Sequence, residues 1–173
     1  MEILIFSDSH GKTEAMKHAF SVQIRRPDLM IHLGDGIGDL LDLPDLGVPT
    51  AVVHGNCDWF DANGVTEEFL FEELGHRILM THGHRFGVKG GFGGLLAHAV
   101  ALDADIVLFG HTHQAVSLCI PAGEVVGGKL LDRPLYLFNP GSIGRAEGDE
   151  GFSFGTLSIT RQNVLFSHGY VPY

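Results

Sequence analysis

Cysteine is scarce: Cys57 and Cys119 are the only two in 173 residues. No secretory feature accompanies them, which argues against a framework of structural disulfides. Long apolar runs are missing as well. None approaches the ~20 residues that a membrane-spanning helix needs, so no membrane partner is expected. The apolar opening MEILIFSDSH is too short, and lacks the basic start, for a signal peptide. The expected compartment is the cytoplasm. Basic residues are few, 11 Lys plus Arg against 21 Asp plus Glu, giving a formal net charge of −10. Sequence-independent nucleic-acid binding needs clustered cations that displace counterions, and this balance argues against it. Nucleic acid is left as a partner only at a substrate end. The same charge repels phosphate substrates, so any phosphate chemistry needs a local source of positive charge. Repeats, low-complexity tracts and linkers are also absent, and 1–173 reads as one domain of ordinary size.

What is present is a regular run of apolar segments. Residues 1–6, 29–33 and 50–54 are compact buried strands, and 13–25 carries apolar residues at helical spacing with Thr13 as its expected N-cap. This β-α-β-loop-β order implies a parallel sheet. Residues 67–74 and 77–81 look like strands joined by a Leu-Gly-His turn, 95–102 like a helix and 106–109 like a short strand. Only strand-like segments follow, at 116–120, 135–138, 152–159 and 164–168. Crossovers first and hairpins later predict an α/β class with a mixed sheet, or two stacked sheets, and helices outside.

Glycine is abundant, 24 of 173 residues, about twice the usual ~7%. Many glycines stand beside polar residues at strand ends, where ligands collect in α/β sheets. Five segments carry the chemistry: Asp8-Ser-His10, Gly34-Asp35, Gly55-Asn-Cys-Asp58, Thr81-His-Gly-His84 and Gly110-His-Thr-His113. Each follows an expected strand. Together they offer Asp8, His10, Asp35, Asn56, His82, His111 and His113. Carboxylate oxygens and neutral imidazoles suit Mn, Fe, Co, Ni or Zn. Seven donors are too many for one closed four-ligand site and suit two ions ~3.5–4 Å apart sharing a carboxylate. Of the remaining histidines, His18, His76, His98 and His168 are expected to be surface or core fillers. His32 and His54, inside apolar strands, are expected in the core or behind a ligand.

In this order the segments closely resemble the calcineurin-like metallophosphoesterase superfamily, whose pattern runs D-x-H, G-D, G-N-[HC]-[DE], G-H or H-G-H, and G-H-x-H. The likeness covers about residues 3–144, including the Asn139-Pro-Gly-Ser142 turn. It is greatest to a small single-domain branch that has Cys in the third motif and acts on phosphodiesters. The resemblance implies two stacked mixed β-sheets flanked by helices, and two divalent ions, with manganese the first expectation. It implies that Asp8, His10, Asp35 and His113 hold one ion, and that Asp35 bridges to a second completed by Asn56, His82 and His111. The implied reaction is hydrolysis of a small phosphodiester by a metal-bridging hydroxide. The alternative is a catalytically weak or inactive interaction scaffold of the same fold.

The chain departs from the commoner pattern at Cys57, where many members of the superfamily carry a His able to protonate the leaving group. A thiol with an ordinary pKa of ~8.5 is a poor substitute. His84 is the candidate replacement, turned toward the cleft by Gly83. Its other reading, an exposed or supporting residue, stays open, as does the role of Asp58. Cys57 itself is expected to be a small buried filler. The glycine-rich segment at 85–94 matches neither G-x-x-x-x-G-K-[ST] nor G-x-G-x-x-G. It reads as a loop in which Arg85 or Lys89 offsets the acidic surface. Residues 121–133 are a longer excursion than the family pattern has, with three readings: active-site rim, oligomer contact or tolerated loop. Association into a homo-oligomer is likewise open.

Overall fold

In β1 (Glu2–Phe6) Ile3 and Ile5 point one way and Leu4 and Phe6 the other, and all four are buried. A strand alternates faces at every residue, so one that is apolar on both must be covered on both. The computed structural model, which describes residues 1–59, 62–145 and 151–172, supplies both covers. After β1 the chain forms α1 (Thr13–Ser21), β2 (Leu29–His32), β3 (Thr50–Val52), β4 (Glu68–Glu73) and β5 (His76–Thr81). It continues through α2 (Gly93–Ala101), β6 (Ile106–Leu108), β7 (Ala115–Ile120), β8 (Val125–Val126) and β9 (Lys129–Leu130). The last strands are β10 (Leu135–Pro140), β11 (Phe152–Ile159) and β12 (Val164–Val171). Short 3-10 turns at Ile37–Asp42 and His84–Phe86 left no clear periodic signal in the sequence.

Two five-stranded sheets result, ordered β12-β11-β1-β2-β3 and β4-β5-β6-β10-β7. Both are mixed. In the first sheet β1, β2 and β3 are parallel and β11 and β12 antiparallel. In the second β5, β6 and β10 are parallel, with β4 and β7 antiparallel at the edges. The expected stacking of two mixed sheets is therefore the observed one. Ile3, Ile5 and Ile31 of the first sheet share a core with Ile78, Met80, Ile106, Leu108 and Phe138 of the second. Leu4, Phe6 and Met30 pack outward with Met16 and Ala19 of α1. Leu79, Val107 and Leu137 pack with Leu95, Ala99 and Val100 of α2. Each such buried side chain contributes on the order of 2 kcal/mol. Among the described residues no helix is long and apolar enough to cross a membrane.

Local chemistry moves several expected boundaries. Helix α1 begins at Thr13 itself, with Lys12 in the cap position and no side-chain cap. It ends at Ser21 rather than Arg25. Beyond Ser21 the chain offers Val22 and Ile24, both exposed, so continuing the helix would bury nothing. The Gln23 side chain instead donates to the Ala19 carbonyl at 2.7 Å. The β4–β5 connection is a two-residue turn, Leu74-Gly75, with φ of 51° and 86°. Both positive values fit a tight hairpin turn, and His76 becomes the first residue of β5. The 121–133 excursion folds into the β8–β9 ribbon, which lays Val126 and Leu131 against the α2 core. Gly127 is required there, because a side chain would meet Ala97 at 3.0 Å. None of the ribbon lines the residues gathered below.

Candidate metal centre

The carboxyl ends of β1, β2, β3, β5 and β6 converge, and the loops that follow them carry all seven expected residues. Six of them approach in two sets. Asp8, His10 and His113 offer donor atoms all within 4.8 Å of one another, and so do Asp35, His82 and His111. His111 and His113, although two residues apart, stand in different sets. Each set draws on both sheets: Asp8, His10 and Asp35 follow strands of the first, His82, His111 and His113 strands of the second.

The backbone bends sharply to do this. Asp8, His10, Asp35, His111 and His113 all have φ between 43° and 67°. Left-handed conformations at non-glycine residues cost about 1–3 kcal/mol each and persist where the surroundings enforce them. Glycine permits the loops to meet: at Gly34 a Cβ would fall 2.5 Å from the Gly55 nitrogen and 2.9 Å from His82 Nδ1.

Donor orientation follows from hydrogen bonds behind the cage. His82 Nδ1 lies 2.8 Å from the Leu33 carbonyl. A carbonyl only accepts, so Nδ1 carries the proton and Nε2 presents a lone pair. Asp8 Oδ2 accepts from Ser7 Oγ at 2.5 Å and from the His111 N–H at 3.1 Å, leaving Oδ1 toward the cage. Asp35 Oδ1 accepts the Cys57 N–H at 2.7 Å. A carboxylate oxygen then faces the His82 lone pair, Asp35 Oδ2 at 3.4 Å from His82 Nε2, while Asp8 Oδ1 is 3.3 Å from His113 Nε2. The first pair repels unless a proton or a cation lies between its members. Burial works to raise the Asp35 pKa, yet the His82 ring and the Cys57 N–H hold it well below the usual carboxylate range. Burial works to lower that of His82, and Asp35 and Asp8 override it upward. For His111, burial and then the charges of His82 and Lys89 depress the pKa to about 4, which keeps its lone pair available at neutral pH.

A fit test comes from unpartnered atoms. Among the described residues six buried side-chain atoms have no hydrogen-bond partner, and five are Asp8 Oδ1, His10 Nε2, Asn56 Oδ1, His82 Nε2 and His84 Nδ1. Each orphan costs about 1–3 kcal/mol. Their gathering at one place fits a divalent cation with oxygen and imidazole ligands.

Three residues outside the expected set hold the cage in shape. Asp58, 3% exposed, accepts the N–H groups of Asp35, Gly36, Ile37 and Gly55 at 2.7–3.1 Å. This settles its open role: it clamps the Asp35 turn against the Asn56 loop. Asn139 donates to the Gly110 carbonyl at 2.9 Å and to Thr112 Oγ1 at 3.0 Å. Ser142 Oγ donates to the Asp8 carbonyl at 2.8 Å. The Asn-Pro-Gly-Ser turn, visible as a motif, thus binds two ligand loops together.

The histidines expected elsewhere lie elsewhere. His76 pairs with Asp105, His98 with Glu68, and His168 donates to the Asn139 carbonyl while stacking on Phe138. His18 is exposed on α1. His32 lies fully behind the cage, bonded to Ser9 Oγ at 3.0 Å and accepting the Gly34 N–H at 3.2 Å. Burial depresses its pKa from 6.5 to about 4. The unfolded chain therefore takes up this proton below pH 6.5 and the folded chain only near pH 4. Metal-free protein is expected to lose up to about 3 kcal/mol as pH falls through that window. Chemical denaturation at stepped pH measures the slope, and His32→Leu should flatten it.

Cys57 departs from expectation. It is exposed rather than a buried filler, because its N–H, not its side chain, is committed inward to Asp35. Partial desolvation and then the Asp35 carboxylate push the thiol up to about 11, so it is a poor proton donor. Gly83, at φ 96°, turns the chain so that His84 borders the cage, its ring centroid 5.5 Å from that of His82. Burial and then the His82 charge lower the His84 pKa. Arg85 is held by Glu67. Beyond Asn56 and His84 opens a cleft of about 320 Å³, also walled by His54, Trp59, Ala62 and Glu67.

Comparisons with known proteins agree with this geometry. The model of the calcineurin-like phosphoesterase superfamily domain matches residues 1–162. The chain is 37% identical to the probable metallophosphoesterase YsnB of Bacillus subtilis strain 168, over 96% of this chain and 90% of that protein. The structure resembles an archaeal phosphodiesterase with a TM-score of 0.71, at 22% identity, covering 97% of this chain and 99% of that one. It also resembles Vps29 of Entamoeba histolytica complexed with zinc, with a TM-score of 0.69 at 22% identity over 98% of both chains. The match over nearly the full length and the close relative place this chain in the calcineurin-like phosphoesterase superfamily.

Proposed function

We propose that this phosphoesterase is a binuclear phosphodiesterase. In this reading Asp8, His10, Asp35 and His113 hold one divalent ion and Asp35, Asn56, His82 and His111 the other, with Asp35 shared. The observation that carries it is the convergence of unpartnered Asp8 Oδ1, His10 Nε2, Asn56 Oδ1 and His82 Nε2 on two sets of competent donors. Bound ions would supply Lewis-acid charge for the phosphate oxygens and lower the pKa of a coordinated water. The chain's own part is orientation: the Leu33 carbonyl fixes the His82 tautomer, Asp58 fixes the Asp35 turn, and Ser142 fixes the Asp8 loop. The weak acidity of Cys57 favours diesters, whose leaving groups depart with less protonation, over monoesters. In this reading His84, bordering the cage, assists departure through an N–H rather than as an imidazolium. Manganese is the first metal to try, with iron, cobalt, nickel and zinc compatible with the same donors. A cytoplasmic site of action goes with the reading.

Metal analysis of the purified protein is expected to give about two ions per chain, and affinity should fall as pH falls because ligands must be deprotonated. Manganese-reconstituted protein is expected to hydrolyse bis-p-nitrophenyl phosphate faster than p-nitrophenyl phosphate. A stoichiometry of one would remove the binuclear reading. Full loading without turnover on a diester panel would favour the interaction scaffold instead.

A further inference from the structure

We propose that the cleft beside Asn56 and His84 is a nucleobase subsite, with the indole of Trp59 as its stacking platform. This rests on the phosphodiesterase reading, since it places the scissile phosphate at the cage and one of the diester's two substituents in the cleft.

Three observations carry it. The cleft is continuous with the cage, because Asn56 and His84, each with an unpartnered buried atom, line the cleft as well as bordering the cage. Its volume of about 320 Å³ lies at the small end of ligand pockets and suits a nucleoside rather than a polymer. Its lining is rich in planar rings, the indole of Trp59 and the imidazoles of His54 and His84, beside the small side chain of Ala62. Trp59 is the chain's single tryptophan. It is 84% exposed, three residues from Asn56, where burial gives no reason for so large a ring. A polar contact is also present. Glu67 spends Oε2 on Arg85, while Oε1 lies 3.9 Å from His84 Nε2, beyond hydrogen-bond reach. That oxygen is left to accept an exocyclic amine. The net charge of −10 disfavours long polyanions, so the ligand class is a small nucleoside phosphodiester.

The test uses manganese-loaded full-length protein. 5′-AMP should quench the fluorescence of Trp59 and bind about tenfold more tightly than ribose 5-phosphate, which carries the same phosphate without a base. Trp59→Ala should erase that gap and Trp59→Phe should keep most of it. With adenosine 5′-(methyl phosphate) and ribose 5-(methyl phosphate) as substrates, Trp59→Ala should raise KM about tenfold for the first only. Equal binding of the two monophosphates, or an equal effect of Trp59→Ala on both, would overturn the subsite. Protein that turns over no diester at all sinks the phosphodiesterase reading, yet the fluorescence and binding arms still decide the subsite. Because Trp59 is exposed, these variants are expected to keep the wild-type melting temperature, which is measured alongside.

Discussion

Asp35→Asn is expected to lower kcat/KM on bis-p-nitrophenyl phosphate by about a thousandfold or more, an activation penalty of about 4 kcal/mol. The substitution is nearly isosteric, and its amide oxygen can still accept the Cys57 N–H. What it removes is charge. Asp35 is ionised at every working pH, and in the proposed arrangement it is the anion that offsets two cations at once. Metal content should fall from about two ions per chain toward one. Wild-type activity in Asp35→Asn would sink the bridging role.

Asp58→Ala is expected to do the reverse, costing stability first and activity through it. Four backbone N–H groups lose one charged acceptor, and buried hydrogen bonds to charged groups contribute about 1.5–3 kcal/mol each. Allowing for relaxation of the turn, a loss of about 4 kcal/mol should lower the melting temperature by roughly 10 °C. Burial works to raise the Asp58 pKa, and the N–H groups of Gly55, Gly36, Ile37 and Asp35 lower it more. Its stabilisation is therefore present above the ordinary carboxylate pKa of 3.8 and is withdrawn as pH falls below that value. Stability curves of the wild type and Asp58→Ala should thus converge in acid. Because Asp58 touches no ligand atom directly, excess manganese should restore part of the kcat, whereas it should not rescue Asp35→Asn. Equal melting temperatures would remove the clamp from the account.

These two neighbours also mark how far the sequence could be read. Asp35 was legible as a candidate because it is a carboxylate directly after an apolar strand and a glycine, at a strand end where ligands collect. The doubly apolar β1 and β2 made a layered fold legible in the same way. Asp58 was not, because its work is done on backbone N–H groups 21 to 23 residues away, and no side-chain pattern announces that. Asn139 and Ser142 could be flagged as part of a motif, but their hold on the Gly110 carbonyl and the Asp8 loop depends on which loops meet. The end of α1 escaped for a related reason: Val22 and Ile24 fit helical periodicity, and only the lack of anything to pack against stops the helix. Cys57 was expected inside because a free cysteine packs as a small hydrophobe, yet its N–H is turned in to Asp35 and its thiol is exposed.

Each half of the cage takes donors from both sheets, Asp8 and His10 with His113 on one side, Asp35 with His82 and His111 on the other. The ions would therefore act as rivets across the seam between the sheets. Loading and folding then become mechanically linked. A chelator would loosen the seam at its carboxyl end while the apolar packing below it stayed closed, and the cleft walled by loops on both sides of that seam would lose its shape together with its metals.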